Sequence, residues 1–232
     1  METPYEHKLR TTVEQVQECS SVRVEKYDPG PIADHLESAR QALEIVRIVE
    51  KSPLPDELTD NFHRRSNLFF AWRGLEPFQE IAGEFHITHV ADVLIRGTHR
   101  NPLAGNASET EKLVADLRIF ETHPVGGTGT YSALRLTSDP GSAELWYFDL
   151  RQGPTRLHIK YGEYLDAMLR TKGLYDWQYL FAQPDPQNYG MRVSLPYLRK
   201  GIEFLTHEFP EDDLADLQDR LEQRARVMDE TA

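Results

Sequence analysis

The chain has 232 residues, 39% of them apolar and 28% charged, with 26 Lys and Arg against 38 Asp and Glu for a net charge of −12. A chain of this size removes roughly 70% of its unfolded surface from water, so one large domain, or one domain with extensions, needs no covalent staples. The negative charge argues against a general nucleic-acid binder and against a protein that lies on an anionic membrane, because both targets carry the same sign.

The first ten residues, METPYEHKLR, lack the apolar core of a signal peptide, so a cytoplasmic protein is expected. Residues 4–18 read as a polar helix with Leu9, Val13 and Val16 on one stripe. Cys19 is the single cysteine, which excludes an internal disulfide and a four-cysteine metal knuckle and fits a reducing compartment. It sits in a polar context with no local base, as a bystander thiol would. A short strand is expected at Val22–Val24 and a break at Pro29-Gly30-Pro31. Beyond it, Ile32, Leu36, Ala39, Leu43 and Val46 recur with the period of an amphipathic helix. Pro53 and Pro55 end that segment, and Pro55 suits the first turn of another helix with Leu58 and Phe62 inward.

Strands are expected at Asn67–Trp72 and Glu84–Ile87, and an irregular loop over 97–107. Ser108 with Glu111 three residues on forms a capping box, opening a helix that turns Leu113, Val114 and Leu117 inward. The run Gly126-Gly127-Thr128-Gly129 reads as a flexible connection. Three strands follow at Thr130–Thr137, Ala143–Leu150 and Thr155–Ile159, separated by turn signals at Asp139-Pro140-Gly141 and Gly153-Pro154. Their short spacing implies an antiparallel meander. The longest apolar runs, such as Leu145–Phe148, are far too short to span a bilayer.

Tyr161, Tyr164, Leu165, Met168 and Leu169 make the apolar face of a helix that Gly173 terminates in the left-handed conformation. After a linker at 183–190, Ser194 and Pro196 suit the cap and first turn of a further helix. Pro210 and Glu211-Asp212-Asp213 open the last one, whose stripe is Leu214, Leu217, Leu221, Ala225 and Met228. Strands in one block, with helices before and after, indicate an α+β fold with a mostly antiparallel sheet. The expected division is a helical N-terminal extension over 1–50, an α+β domain over 51–183, and a C-terminal helical extension over 184–232 packed on that domain.

Candidate chemistry is sparse. His86 and His89 are three apart, with His99 and His123 further on, but a strand running into a turn points the first two to opposite faces. No HExxH or carboxylate-rich partner motif accompanies them, so neither metal nor cofactor is expected. The glycine run lacks the Gly-Lys-Ser/Thr of a phosphate loop and precedes a strand rather than a helix. Asp149 and His158 are potential neighbours across a hairpin, an arrangement common as ordinary cross-strand pairing. The aromatics after Gly173 stand out: Trp177 and Phe181 suit the core, and Tyr175 with Asp176 suit an exposed pair of the kind that anchors interfaces.

Several segments in order carry a family likeness. Leu54-Pro55-Asp56-Glu57-Leu58 leads to the aromatic strand Leu68–Trp72. A glycine-led strand, Gly83–Ile87, and a short turn, Val90–Leu94, come next. Then stand Leu145-Trp146-Tyr147-Phe148-Asp149, the step Tyr164-Leu165, and the most specific element, Thr171-Lys172-Gly173-Leu174-Tyr175-Asp176-Trp177-Gln178-Tyr179. Over 54–182 this order resembles the SUKH superfamily, which includes bacterial immunity proteins and fungal cell-wall regulators. His63-Arg64-Arg65-Ser66 stands where the family often has an Asn-Gly step, and 97–129 reads as an insertion. The resemblance implies helices packed on a mostly antiparallel sheet and a role in binding rather than catalysis. The expected partner is then a basic toxin domain, such as a nuclease, met through acidic and aromatic groups at Asp149, Tyr175, Asp176 and Tyr179. The alternatives are a regulatory scaffold that docks through its terminal helices, and a hydrolase that uses carboxylates and histidines of the 83–160 region.

Overall fold

The structure, a computed structural model, describes residues 2–50, 54–96, 107–126, 129–137 and 142–230. The loop expected over 97–107 (Ala107 apart), the turn at Asp139-Pro140-Gly141, and Pro53, Gly127 and Thr128 lie outside the described residues.

Seven strands form one sheet in sequence order, each antiparallel to the next. They are β1 (Val22–Asp28), β2 (Asn67–Gly74), β3 (Ala82–Thr88), β4 (Arg118–Thr122), β5 (Tyr131–Leu136), β6 (Ala143–Asp149) and β7 (Gly153–Leu157). The fold is therefore α+β, and the meander expected at its end runs through the whole sheet. Strand β6 shows why: Leu145, Tyr147 and Asp149 alternate into the core, and Glu144, Trp146 and Phe148 take the other face. On that outer face Phe148 stacks on Tyr131 of β5, with ring centroids 4.7 Å apart.

Helices α1 (Pro4–Glu18), α5 (Tyr161–Arg170), α6 (Tyr189–Glu208) and α7 (Ala215–Asp229) contribute to the same core. Helix α5 buries Tyr161, Tyr164, Leu165, Met168 and Leu169, as its spacing requires. Each such side chain contributes about 1.5–3 kcal/mol relative to an exposed one. The core runs continuously from Tyr5 to Met228. Among the described residues no helix is long and apolar enough to cross a membrane.

Several expectations change. The short strand expected at Val22–Val24 extends to Asp28 as β1 and forms one edge of the sheet. Ile32 does not begin a helix: it is 54% exposed and bridges Arg65, and α2 starts only at Ala39 and runs to Glu50. The segment after Pro55 is one 3-10 turn, Asp56–Thr59, with Leu58 buried and Phe62 beyond it. Val90–Leu94 is not a turn but part of helix α3 (Val90–Arg96), whose start is capped by His89 Nδ1 accepting from Ala91 N at 3.1 Å. The capping box at Ser108 and Glu111 forms, but its helix, α4 (Glu109–Asp116), buries none of its residues fully. Helix α6 begins at Tyr189, because the Asn188 side chain caps it by accepting from Met191 N at 2.8 Å. Pro196 therefore lies inside the helix, and the Ser194 hydroxyl bonds back to Gly190 O at 2.9 Å.

The bend after α5 positions the site. Lys172 and Gly173 both take positive φ, +51° and +69°. A Cβ on Gly173 would come within 2.7 Å of Glu84 O, so the chain passes β3 at a distance that only glycine allows. Gly173 O accepts from Glu84 N at 2.7 Å, Lys172 O from Trp72 Nε1 at 2.7 Å, and Tyr175 N donates to Ala82 O at 3.3 Å. These bonds fix Tyr175 and Asp176 against the sheet.

Candidate functional site

A pocket of about 360 Å³ opens where the end of β6, the turn after it, the Tyr175–Asp176 bend and α6 meet. Asp149, Arg151, Tyr175, Asp176, Ser194 and Tyr197 supply its polar lining, and Leu150 and Val193 its apolar rim. Three of the four residues singled out from sequence thus share one cavity, and the fourth, Tyr179, donates to Asp149 Oδ2 at 2.8 Å from behind.

The charges are held by one another. Arg151 Nε reaches Asp149 Oδ1 at 2.9 Å and Oδ2 at 2.8 Å, and Arg151 Nη2 reaches Asp176 Oδ2 at 2.7 Å. Tyr147 donates to Asp176 Oδ1 at 2.7 Å, and the Ser194 hydroxyl bonds Asp176 Oδ2. Burial opposes the Asp149 charge, but bonds from the Arg151 guanidinium and backbone N–H outweigh it and hold the carboxyl below its ordinary range. Burial likewise works against Arg151, and Asp149 and Asp176 more than offset it, so the guanidinium is held even more firmly in its charged form. Burial, and then the Glu84 carboxylate, push the Tyr175 phenol up to about 12.

Asp149 and Tyr179 are buried, at 1% and 0% exposure, so neither offers a side chain to a partner. They brace the floor beneath Arg151. Tyr175 and Asp176 are half-buried rather than freely exposed. Trp177 and Phe181 are core, as expected.

A second polar layer lies behind the pocket. Thr130, on the pocket wall, meets His123 Nδ1 at 3.0 Å, and His123 Nε2 lies 3.7 Å from Glu121 Oε1. Tyr164 donates to Glu121 Oε2, and Gln178 Nε2 donates to it at 3.2 Å. Burial disfavours the His123 cation, yet Glu121, with Glu84 and Asp176 further off, raises its pKa above the ordinary 6.5. Glu84 is fully buried and accepts from Val125 N at 2.8 Å and Gly126 N at 2.9 Å, which ties the glycine run to β3.

Sequence reading missed this layer because its signal is broken. The β4–β5 register shifts between Ile119 and Glu121, and the bulge turns two consecutive residues, Phe120 and Glu121, into the core. Plain alternation would put one of them outside.

The other candidate groups separate. Asp149 pairs with Gly153 at one end of the β6–β7 hairpin, and His158 follows Leu157 at the other, so these two are not neighbours. His86 meets Thr122 of β4, whereas His89 packs edge-to-face on the buried His63 with centroids 4.8 Å apart. His99 lies outside the described residues. Among the described residues no group of three or more His, Cys, Asp or Glu side chains is placed to hold a metal ion. Burial pushes the Cys19 thiol up, and its sulfur lies 3.3 Å from Glu208 Oε2.

No family model matches the chain, and neither does any curated protein or any solved structure.

Proposed function

We propose that the protein is a binding module without catalytic activity, which neutralises a basic toxin domain by covering it with the face around this pocket. One observation carries the reading. Among the described residues nine large apolar side chains are exposed, and two of them, Leu150 (73%) and Val193 (39%), line this one pocket. Val125, itself exposed, precedes the lining residue Gly126 in the chain. Exposed apolar side chains gathered at one place, rather than scattered singly, mark protein-binding surfaces. The net charge of −12 adds a motive, since it attracts a partner that is itself basic in order to approach phosphate. The likeness to SUKH proteins along 54–182 points the same way.

The test is co-expression with the product of the adjacent gene. The reading expects that product to arrest growth alone, and this protein to restore growth and co-purify with it in a fixed ratio. A neighbour that is harmless, or toxic and unrelieved, contradicts it.

A further inference from the structure

We propose that the pocket receives a single basic side chain of the partner, an arginine or lysine flanked by apolar residues, as the anchor of the interface. This rests on the protein-binding reading above and adds which chemistry fills the centre of the face. Such a side chain is amphipathic: its stem needs apolar cover and its tip an anionic, aromatic surround. The pocket is divided in the same sense. Leu150 and Val193 stand at the rim, while Tyr175 and Tyr197, stacked with centroids 6.5 Å apart, form the inner wall. A cation held against a tyrosine ring is attracted by the ring's negative face, more strongly once desolvated.

Charge complementarity decides the sign of the occupant. Asp149 and Asp176 line the pocket, Glu84 lies 3.5 Å behind the Tyr175 hydroxyl, and Glu121 stands behind Thr130 and His123. Against these four carboxylates stand the Arg151 guanidinium and the His123 imidazole, while Arg73, which also acts on Tyr175 and Tyr197, is matched by Glu25 at 3.3 Å. The region therefore keeps a negative excess even with Arg151 in place and His123 protonated. An acidic or neutral anchor would be repelled or would gain nothing from it.

The experiment uses the intact chain, isotopically labelled, and two blocked tripeptides, acetyl-Leu-Arg-Val-amide and the same peptide with citrulline for arginine. Citrulline keeps the shape and removes the charge. The arginine peptide is expected to shift the Gly126, Leu150 and Asp176 amide resonances saturably, and the citrulline peptide to bind at least fivefold more weakly. Asp176→Asn, which tolerates the left-handed backbone at φ 62°, is expected to weaken the arginine peptide by a similar factor. Equal shifts from both peptides, or none from either, would overturn the anchor, and this comparison stands on the unmodified protein even if the variant misfolds. A chain that relieves toxicity while ignoring the arginine peptide loses the anchor alone. One that does not relieve it loses the binding role.

Discussion

The Tyr179 hydroxyl donates to Asp149 Oδ2 at 2.8 Å, across the boundary between the 3-10 turn Trp177–Phe181 and the end of β6. That bond ties the aromatic segment after α5 to the hairpin that carries Leu150 and Arg151. Tyr179→Phe removes it and leaves a buried carboxylate one donor short. The expected loss is about 1–3 kcal/mol of unfolding free energy, read in urea titration, with the sheet's circular dichroism unchanged. A variant as stable as the parent would show that the bond does not brace the hairpin.

His63 and His89 set the acid limit. His63 is fully buried, and burial lowers its pKa from 6.5 to about 4. Burial lowers His89 too. Because the unfolded chain binds these protons first, stability is complete above pH 6.5 and falls as pH drops toward 4, by roughly 3 kcal/mol for His63 alone. His63→Leu is expected to flatten that slope in melts between pH 4 and 6.5, since it removes the buried group that acid must charge. An unchanged slope would assign the acid loss elsewhere.

His123 works in the opposite sense. Its folded pKa is raised above 6.5, so its pairing with Glu121 contributes fully below pH 6.5 and is lost as pH rises through the folded value. Glu121→Gln leaves a buried imidazole without its counter-charge, with an expected cost of about 3–5 kcal/mol. The variant should also lose the alkaline-side decline. Retention of that decline in urea titrations from pH 6.5 upward would contradict the pairing.

Gly173 and Gly153 separate steric from conformational cost. Both take positive φ, +69° and +88°. A Cβ at Gly173 meets the Glu84 backbone at 2.7 Å, whereas one at Gly153 has nothing within 4 Å. Gly153→Ala should cost about 1 kcal/mol. Gly173→Ala should cost more, roughly 2–3 kcal/mol, and should loosen Tyr175 and Asp176 as well. Equal costs by thermal melt would mean that the bend is not held against β3.

The sheet was legible wherever one face is buried, because strict alternation, as in β6, has a single solution. It failed at β4, where the bulge between Ile119 and Glu121 breaks the period, and at Ile32, whose spacing suits a helix but whose backbone bridges Arg65 instead. Helix starts failed where an unexpected side chain capped first, as at His89 and Asn188. The site was half legible. Asp149, Tyr175, Asp176 and Tyr179 do converge, but burial turns two of them from contacts into supports. Arg151, Ser194 and the exposed Leu150 and Val193 carry no local signal. Their meeting depends on α6 crossing the β6–β7 turn, a tertiary fact no window of sequence contains.

The most direct measurement compares two double variants in the co-expression assay. Leu150→Arg with Val193→Arg places positive charge on the pocket rim, and Ile32→Arg with Ile48→Arg places the same charge on exposed apolar positions outside the pocket lining. Growth protection should fall at least tenfold for the first pair and stay at the parental level for the second. Protection that survives the rim substitutions, or fails only with the other pair, would place the contact surface elsewhere on the molecule.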